Sequence, residues 1–132
     1  AGFAYANGRF DDAADLYRRW FERTGESADP LTLEEAAWHL YLAREDLGLA
    51  RTLAGTAWQV NPTAEVADTL SRIVYVQGDA PAALRLQAEA IALATPAVAA
   101  SLRRAAERME AGEVLDDRPP FDTWPGPTGM SL

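Results

Sequence analysis

Few side chains in this sequence could carry out chemistry, and their spacing does not build a catalytic pair. The only histidine is His39, which lies within the helical run AAWHLYLA. A lone histidine in a helix is more often packed in a core or exposed to solvent than used as a base. Ser71 and Ser101 would both depend on it as their base, and no residue is placed to orient it. The sequence therefore predicts no nucleophile activated by a base.

Adjacent carboxylates are the other groups that could perform acid–base chemistry. They include Asp11–Asp12, Glu34–Glu35 and Asp116–Asp117. Catalysis by such a pair requires burial, because burial separates the pKa values of the two carboxyl groups. Adjacent acidic residues are also explained, without any catalytic role, by helix starts and by solvated helix faces. The sequence has no cysteine, no His/Asp/Glu cluster with metal spacing and no glycine-rich phosphate loop. We expect no enzyme activity, no cofactor and no metal site.

Composition limits the class of partner. The chain has 132 residues, 48% of them hydrophobic, with a formal net charge of -8 and arginine as its only basic residue type besides one histidine. This length supports one domain with a moderate core. The acidic balance disfavours nucleic acids and anionic membranes as partners, and no run reaches the ~20 apolar residues that span a bilayer. Because the chain opens at Ala1 within a helical pattern, we expect it to be the C-terminal part of a longer protein.

The elements that would position any site are helices. Apolar residues recur three and four positions apart, alanine is frequent, and glycine or proline interrupts the pattern at short intervals. The connections are short, so successive helices should be antiparallel neighbours. The predicted helices span 1–7, 11–24, 32–45, 48–60, 64–77, 80–94 and 97–111.

One spacing recurs through this helical pattern. Tyr41 and Tyr75 are separated by the same number of positions as the pairs Ala37–Ser71 and Pro62–Pro96. This spacing, about 34 residues, is typical of helix pairs that stack on one another, since a single pair cannot bury its apolar face alone. We call it the repeat period.

The segments YANGRFDDAADLYRRW, LARTLAGTAWQVNP and YVQGDAPAALRLQAEAIALATP resemble tetratricopeptide repeats. Gly8 and Gly78 fit the family's turn glycine, whereas Arg44 stands at that position in the middle repeat. The resemblance covers about 1–96 and implies an all-α fold of antiparallel helix hairpins stacked as a right-handed superhelical solenoid. It implies one repeat domain over 1–111, closed by a capping helix at 97–111 and followed by a proline-rich tail at 112–132. The predicted outward-facing residues of that capping helix are Arg103, Arg104, Glu107, Arg108 and Glu110.

In this family the first helix of each pair lines a concave binding groove. Carried over by position, the resemblance assigns partner-binding residues to this face. Tyr5, Tyr41 and Tyr75 occupy equivalent positions, and two alternatives are open for them: contact with a partner in the groove, or packing between repeats as core. A register error of one residue would exchange the two. The candidate partner-binding residues are Tyr5, Glu34, Trp38, Tyr41, Glu65, Asp68, Arg72 and Tyr75, with Leu42 and Val76 beside them.

The resemblance and the charge together predict a protein–protein interaction scaffold. The clamp of Lys, Arg and Asn that some members use for a C-terminal carboxylate is missing, and acidic residues occupy the face instead. A basic or mixed apolar protein segment is therefore the expected partner. One alternative is a structural segment that packs against an upstream, possibly catalytic, domain. Another is self-association through an open first repeat around Phe3 and Tyr5.

The tail has its own alternatives. Four prolines after Arg118 disfavour helix and favour extended structure. Phe121 and Trp124 could pack onto the last helix, belong to a disordered tail, or form a linear motif that docks on a partner or on the chain's own groove.

Overall fold

The computed structural model describes residues 10–24 and 28–115, and this part of the chain forms six α-helices without a strand. The prediction of an all-α protein is confirmed, and each helix end lies within two residues of its predicted position. The predicted helix at 1–7 lies outside the described residues. None of the six helices has the length and apolar character needed to cross a membrane. The helices are α1 Phe10–Thr24, α2 Pro30–Ala43, α3 Leu47–Val60, α4 Ala64–Val76, α5 Ala80–Leu93 and α6 Pro96–Glu110.

Helix α2 begins two residues earlier than predicted because Asp29 caps it. The Asp29 side chain accepts a hydrogen bond from the Thr32 backbone N–H at 3.3 Å. Pro30 occupies the first turn, where its missing N–H leaves no intrahelical bond unmade. The proline that the sequence suggests as a break is thus the first residue of the helix.

The chain divides into two compact units, of which the first contains the described residues up to Asn61. Its α2 and α3 are joined by three residues and pack along each other as a helix hairpin, and α1 contacts both helices. An ion pair between Arg18 on α1 and Asp46 in the turn ties α1 to the hairpin. The core of this unit uses small side chains on facing helices, which lets the helices approach closely. Its most buried apolar residues include Leu33, Ala36, Ala37, Leu40, Leu53 and Ala57.

The second unit begins at Pro62 and contains α4, α5 and α6. Helices α4 and α5 form a second hairpin, and α6 packs against α5. The core again alternates small and large side chains, with Ala67, Ile73, Ala83, Leu102 and Ala105 fully buried.

The same turn ends α2, α4 and α6. In each case a residue with left-handed backbone follows the helix, and two backbone N–H groups donate to the carbonyls of the last turn, the pattern of a Schellman motif. The residues in the left-handed conformation are Arg44 (φ 54°), Gly78 (φ 98°) and Gly112 (φ 72°), each separated from the next by one repeat period. The donor–acceptor pairs are Arg44–Tyr41 and Glu45–Leu40, Gly78–Tyr75 and Asp79–Val74, and Gly112–Met109 and Glu113–Arg108.

The second helix of each hairpin begins with an aspartate cap, although the backbone of Asp46 is left-handed (φ 41°) and that of Asp79 is not (φ -108°). The carboxylates of Asp46 and Asp79 cap α3 and α5, each accepting a backbone N–H three residues later at 3.1 Å. The structure therefore repeats a unit of helix, left-handed turn, aspartate cap and second helix.

Arg44 takes the turn conformation that glycine adopts in the other two turns, so α2 ends at Ala43 and the prediction that it continues to residue 45 is wrong. A left-handed backbone costs a non-glycine residue about 1–2 kcal/mol. Local contacts of the side chain offset part of this cost: its guanidinium lies 4.3 Å from the Tyr41 ring centroid and donates to the Tyr41 carbonyl at 2.5 Å.

Candidate interaction surface

Two of the predicted partner-binding residues in the first unit lie in the interior. Glu34 and Tyr41 are each only 3% exposed. Buried side chains cannot contact a partner at the surface, so these two do not form the exposed face that was expected. For Tyr41 the structure supports the core alternative. Trp38 is half-buried on the same helix.

The predicted residues of the second unit divide in the same way. Asp68 and Arg72 are 1% exposed and do not form an exposed face either. Glu65 is half-buried in the first turn of α4. Tyr75 is also half-buried, and its hydroxyl donates to the Glu113 carbonyl at 2.5 Å. Tyr5 lies outside the described residues.

Asp68 and Arg72 belong to a buried polar cluster that links the three helices of the second unit. Arg72 Nε donates to one Asp68 carboxylate oxygen at 3.0 Å, and Gln87 Nε2 donates to the other at 3.1 Å. Gln87 Nε2 also donates to the Leu102 carbonyl on α6 at 3.2 Å. The cluster thus connects α4 to α5 through a charge-assisted hydrogen bond, and α5 to α6 through a hydrogen bond between neutral groups.

Ser71, the small residue of the predicted repeat, has a structural partner. Its hydroxyl donates to the Ala83 carbonyl on α5 at 2.8 Å and lies 3.7 Å from the Met109 sulfur on α6. The hydroxyl is buried and its hydrogen bond stabilises the contact between α4 and α5.

His39 lies at the contact between α1 and α2. Its Nδ1 is 3.1 Å from the Tyr17 hydroxyl, within hydrogen-bond distance, and Tyr17 is buried. Burial of the imidazole lowers the pKa of His39 below its ordinary value of 6.5, because desolvation disfavours the charged ring.

This lowered pKa predicts a pH dependence of folding. The unfolded chain takes up a proton near pH 6.5 and the folded chain only at lower pH, so His39 should reduce stability as pH falls below 6.5 and have no effect above it. The loss should stay well under about 1 kcal/mol because the ring is partly exposed. Urea midpoints at pH 7.5 and 5.5 measure it. The His39→Gln variant should show a smaller difference between the two pH values, and an equal difference would contradict the assignment.

An exposed apolar and aromatic surface lies at the C-terminal end of α2. Leu42 is 54% exposed and stands one turn after Trp38 on the same face of the helix. The Trp38 ring stacks on Tyr41 with centroids 5.0 Å apart and an interplanar angle of 26°, and exposed Arg44 covers the Tyr41 ring from the turn. We call Trp38, Leu42 and Arg44 the Trp38 patch.

The side chains of the Trp38 patch are suited to binding and not to catalysis. Its side chains are an indole, an aliphatic group and a guanidinium, without a nucleophile or a base among them. Aromatic residues and arginine are enriched in the centres of protein interfaces, where rigid aromatic area is desolvated at low entropic cost. Buried Tyr41 supports the patch from beneath and fixes Trp38 and Arg44 through the ring contacts described above.

Sequence reasoning placed Trp38 and Leu42 on the candidate face but missed Arg44 as a surface residue. The repeat period marked Arg44 only as the turn position. Its i, i+3 relation to Tyr41 was the signal that could have placed its guanidinium beside the aromatic pair. Leu31 is also exposed, at the opposite end of α2, and does not belong to the patch.

Within residues 10–24 and 28–115, no group of three or more His, Cys, Asp or Glu side chains could hold a metal ion.

No protein-family model matches the sequence, and neither a curated protein nor a solved structure matches it.

Proposed function

We propose that this chain is a non-catalytic protein–protein interaction scaffold that binds a segment of a partner protein at the Trp38 patch. The observation that carries the proposal is the patch itself, in which a tryptophan and an arginine both contact the ring of a buried tyrosine and an exposed leucine lies one turn after the tryptophan. The repeated hairpin unit supports it, because such units present rigid helical surfaces. The tetratricopeptide-like solenoid is part of the same proposal, and it is supported by the recurrence of the left-handed turn once in every repeat period.

The chemistry of the patch defines what a partner segment must carry. Trp38 and Leu42 offer apolar area for a large aliphatic or aromatic side chain. The whole chain carries a net charge of -8, which favours an otherwise basic or mixed apolar segment through long-range attraction. The ligand is therefore a peptide with an apolar anchor and basic flanks.

Selection from a displayed peptide library tests this proposal, because such a selection does not require an identified partner. The bait is the 132-residue chain, and enriched peptides are measured against two variants. Leu42→Asp places a charge within the patch. Leu93→Asp is the matched control, because Leu93 on α5 is 52% exposed and Leu42 is 54% exposed.

We expect enriched peptides to contain an apolar anchor and to lose about tenfold or more in affinity for Leu42→Asp, while Leu93→Asp binds as the unchanged chain does. Circular dichroism would establish that both variants keep the same helicity. Peptides that bind all three proteins equally, or no enrichment at all, would contradict a binding function for the patch.

Self-association is a second candidate function, and an exposed surface on α1 favours it. Leu16 is exposed and Trp20, one turn later on the same face, is half-buried. A second copy could cover this apolar face. A molar mass that rises with concentration for the unchanged chain but not for Leu16→Glu would support self-association.

A further inference from the structure

The turn between α2 and α3 differs from the turn between α4 and α5 by a second left-handed residue. Asp46 has a φ of 41°, two positions after Arg44 with a φ of 54°. In the turn between α4 and α5, the aspartate cap follows Gly78 directly and has a φ of -108°. The left-handed conformation is unfavourable for residues other than glycine, so two such residues in one short turn require contacts that hold them.

The two left-handed residues are held from different sides. Arg44 is held within its own hairpin, by the ring and the carbonyl of Tyr41. Asp46 is held through both of its carboxylate oxygens, because Oδ1 accepts from the Leu49 backbone N–H at 3.1 Å and Oδ2 accepts from the Arg18 guanidinium. The contact with Arg18 comes from α1, so the conformation of the turn depends on a helix outside the hairpin.

Helix α1 contacts the hairpin next to both ends of the Trp38 patch. The Tyr17 hydroxyl lies 3.1 Å from Nδ1 of His39, and His39 directly follows Trp38 in α2. Arg18, the next residue of α1, pairs with the turn two positions after the arginine of the patch. Two consecutive residues of α1 therefore contact the chain beside the tryptophan and beside the arginine.

We propose that Arg18 is a positioning residue for the Trp38 patch. By pairing with Asp46 it keeps the turn in its left-handed conformation, and the turn in that conformation holds Arg44 over the Tyr41 ring. Detachment of α1 releases the turn and withdraws the guanidinium from the patch. The inference rests on the proposed function of the patch, and it adds that binding there depends on the docking of α1.

The exposure of the pair sets the size of the effect. The side chains of Arg18 and Asp46 are 45% and 25% exposed, so solvent screens part of their attraction. Removal of the pair therefore shifts the turn between two populated conformations and does not unfold the hairpin.

Nuclear magnetic resonance of the 132-residue chain without a ligand tests this positioning role. The Tyr41 ring current displaces the signals of the Arg44 δ-methylene protons as long as the guanidinium lies over the ring. R18A removes the contact with the turn. R19A is the matched control, because Arg19 is the adjacent arginine of the same helix and pairs with Asp15 within α1.

We expect R18A to lose about half of the ring-current displacement at Arg44, while R19A keeps it and the conservative variant R18K restores it. Asp46→Ser keeps a side-chain cap for α3 but removes the carboxylate, so adding R18A to Asp46→Ser should change the Arg44 signals no further. Equal Arg44 signals in R18A and R19A, or an effect of R18A that persists with Asp46→Ser, would overturn the proposal.

The affinity of a selected peptide for the same variants separates this inference from the proposed function. We expect binding to R18A to be about threefold weaker than binding to R19A. Equal affinities for R18A and R19A would overturn the dependence of binding on α1 and leave the binding function of the patch intact. If no peptide were selected, the binding function would be contradicted, and the Arg44 signals would still decide the role of Arg18.

Discussion

Replacing Asp68 with alanine is expected to lower the free energy of unfolding by about 3–5 kcal/mol, the range found when one member of a buried ion pair is removed. The reason is that Arg72 would keep its charge in the interior while losing the carboxylate that it contacts at 3.0 Å. Gln87 would lose an acceptor in the same step. Urea unfolding of the unchanged chain and the variant measures the difference.

The chain contains a matched control for this experiment. Asp15 and Arg19 on α1 form another ion pair four positions apart, at 2.6 Å, but both side chains are exposed. Asp15→Ala should cost less than about 0.5 kcal/mol, because solvent screens an exposed pair. The double variant Asp68→Leu/Arg72→Met should lose less than Asp68→Ala, since it removes both charges of the pair together. A cost for Asp68→Ala as small as that for Asp15→Ala would contradict the structural role of the buried cluster.

The left-handed turn at Gly78 predicts that replacing glycine with alanine changes the stability of the fold in opposite directions at two sites. Gly78→Ala should destabilise the fold by about 1–2 kcal/mol, because φ at this position is 98° and a Cβ strains that conformation. Gly55→Ala in the middle of α3 should stabilise it by about 0.5–1 kcal/mol, because helical alanine is favoured over glycine.

Space does not limit either substitution, since a Cβ at Gly55 or Gly78 would meet no atom within 4 Å. The comparison therefore isolates backbone conformation from packing. Thermal unfolding of the two variants under one set of conditions gives the sign of each effect. If both variants shifted the melting temperature in the same direction, the assigned turn conformation at Gly78 would be wrong.

The helices and the hairpin unit could be predicted from the sequence because local signals agreed at most boundaries. Proline, glycine and aspartate occur where most of the helices end and begin. The end of α2 lacks such a signal, and Arg44, which the predicted helix included, takes the turn conformation of glycine. The start of α2 was displaced because Pro30 was interpreted as a break, although proline is well tolerated in the first turn when an aspartate precedes it.

The candidate site was harder to predict because α2 is buried on most of its circumference. Its central residues from Thr32 to Ala37 are all buried, glutamates included, so the helix has no simple division into a core side and an exposed side. Periodicity identifies a face only when one side is solvated. Glu34 was therefore assigned to the same face as Trp38 and Leu42, although it is buried. For Tyr41 the pattern left contact with a partner and packing in the core as open alternatives, and this residue is buried.

The polar cluster of the second unit depends on contacts that no local pattern contains. Asp68 and Arg72 are spaced as an ordinary surface pair of a helix. In the folded unit both side chains are buried, and Asp68 accepts a hydrogen bond from Gln87 on α5, which also donates to the Leu102 carbonyl on α6. From their spacing alone, Asp68 and Arg72 would be assigned to a charged, exposed face of the helix.

Chemical-shift mapping tests most directly whether the Trp38 patch binds a partner segment, as proposed above. A peptide selected on the 132-residue chain is titrated into the isotopically labelled protein. We predict that the largest shift changes lie at Trp38, Leu42 and Arg44, with the signals of Gln87 and Leu102 unchanged. Shift changes that concentrate away from the patch, or a selected peptide that produces none, would contradict the claim.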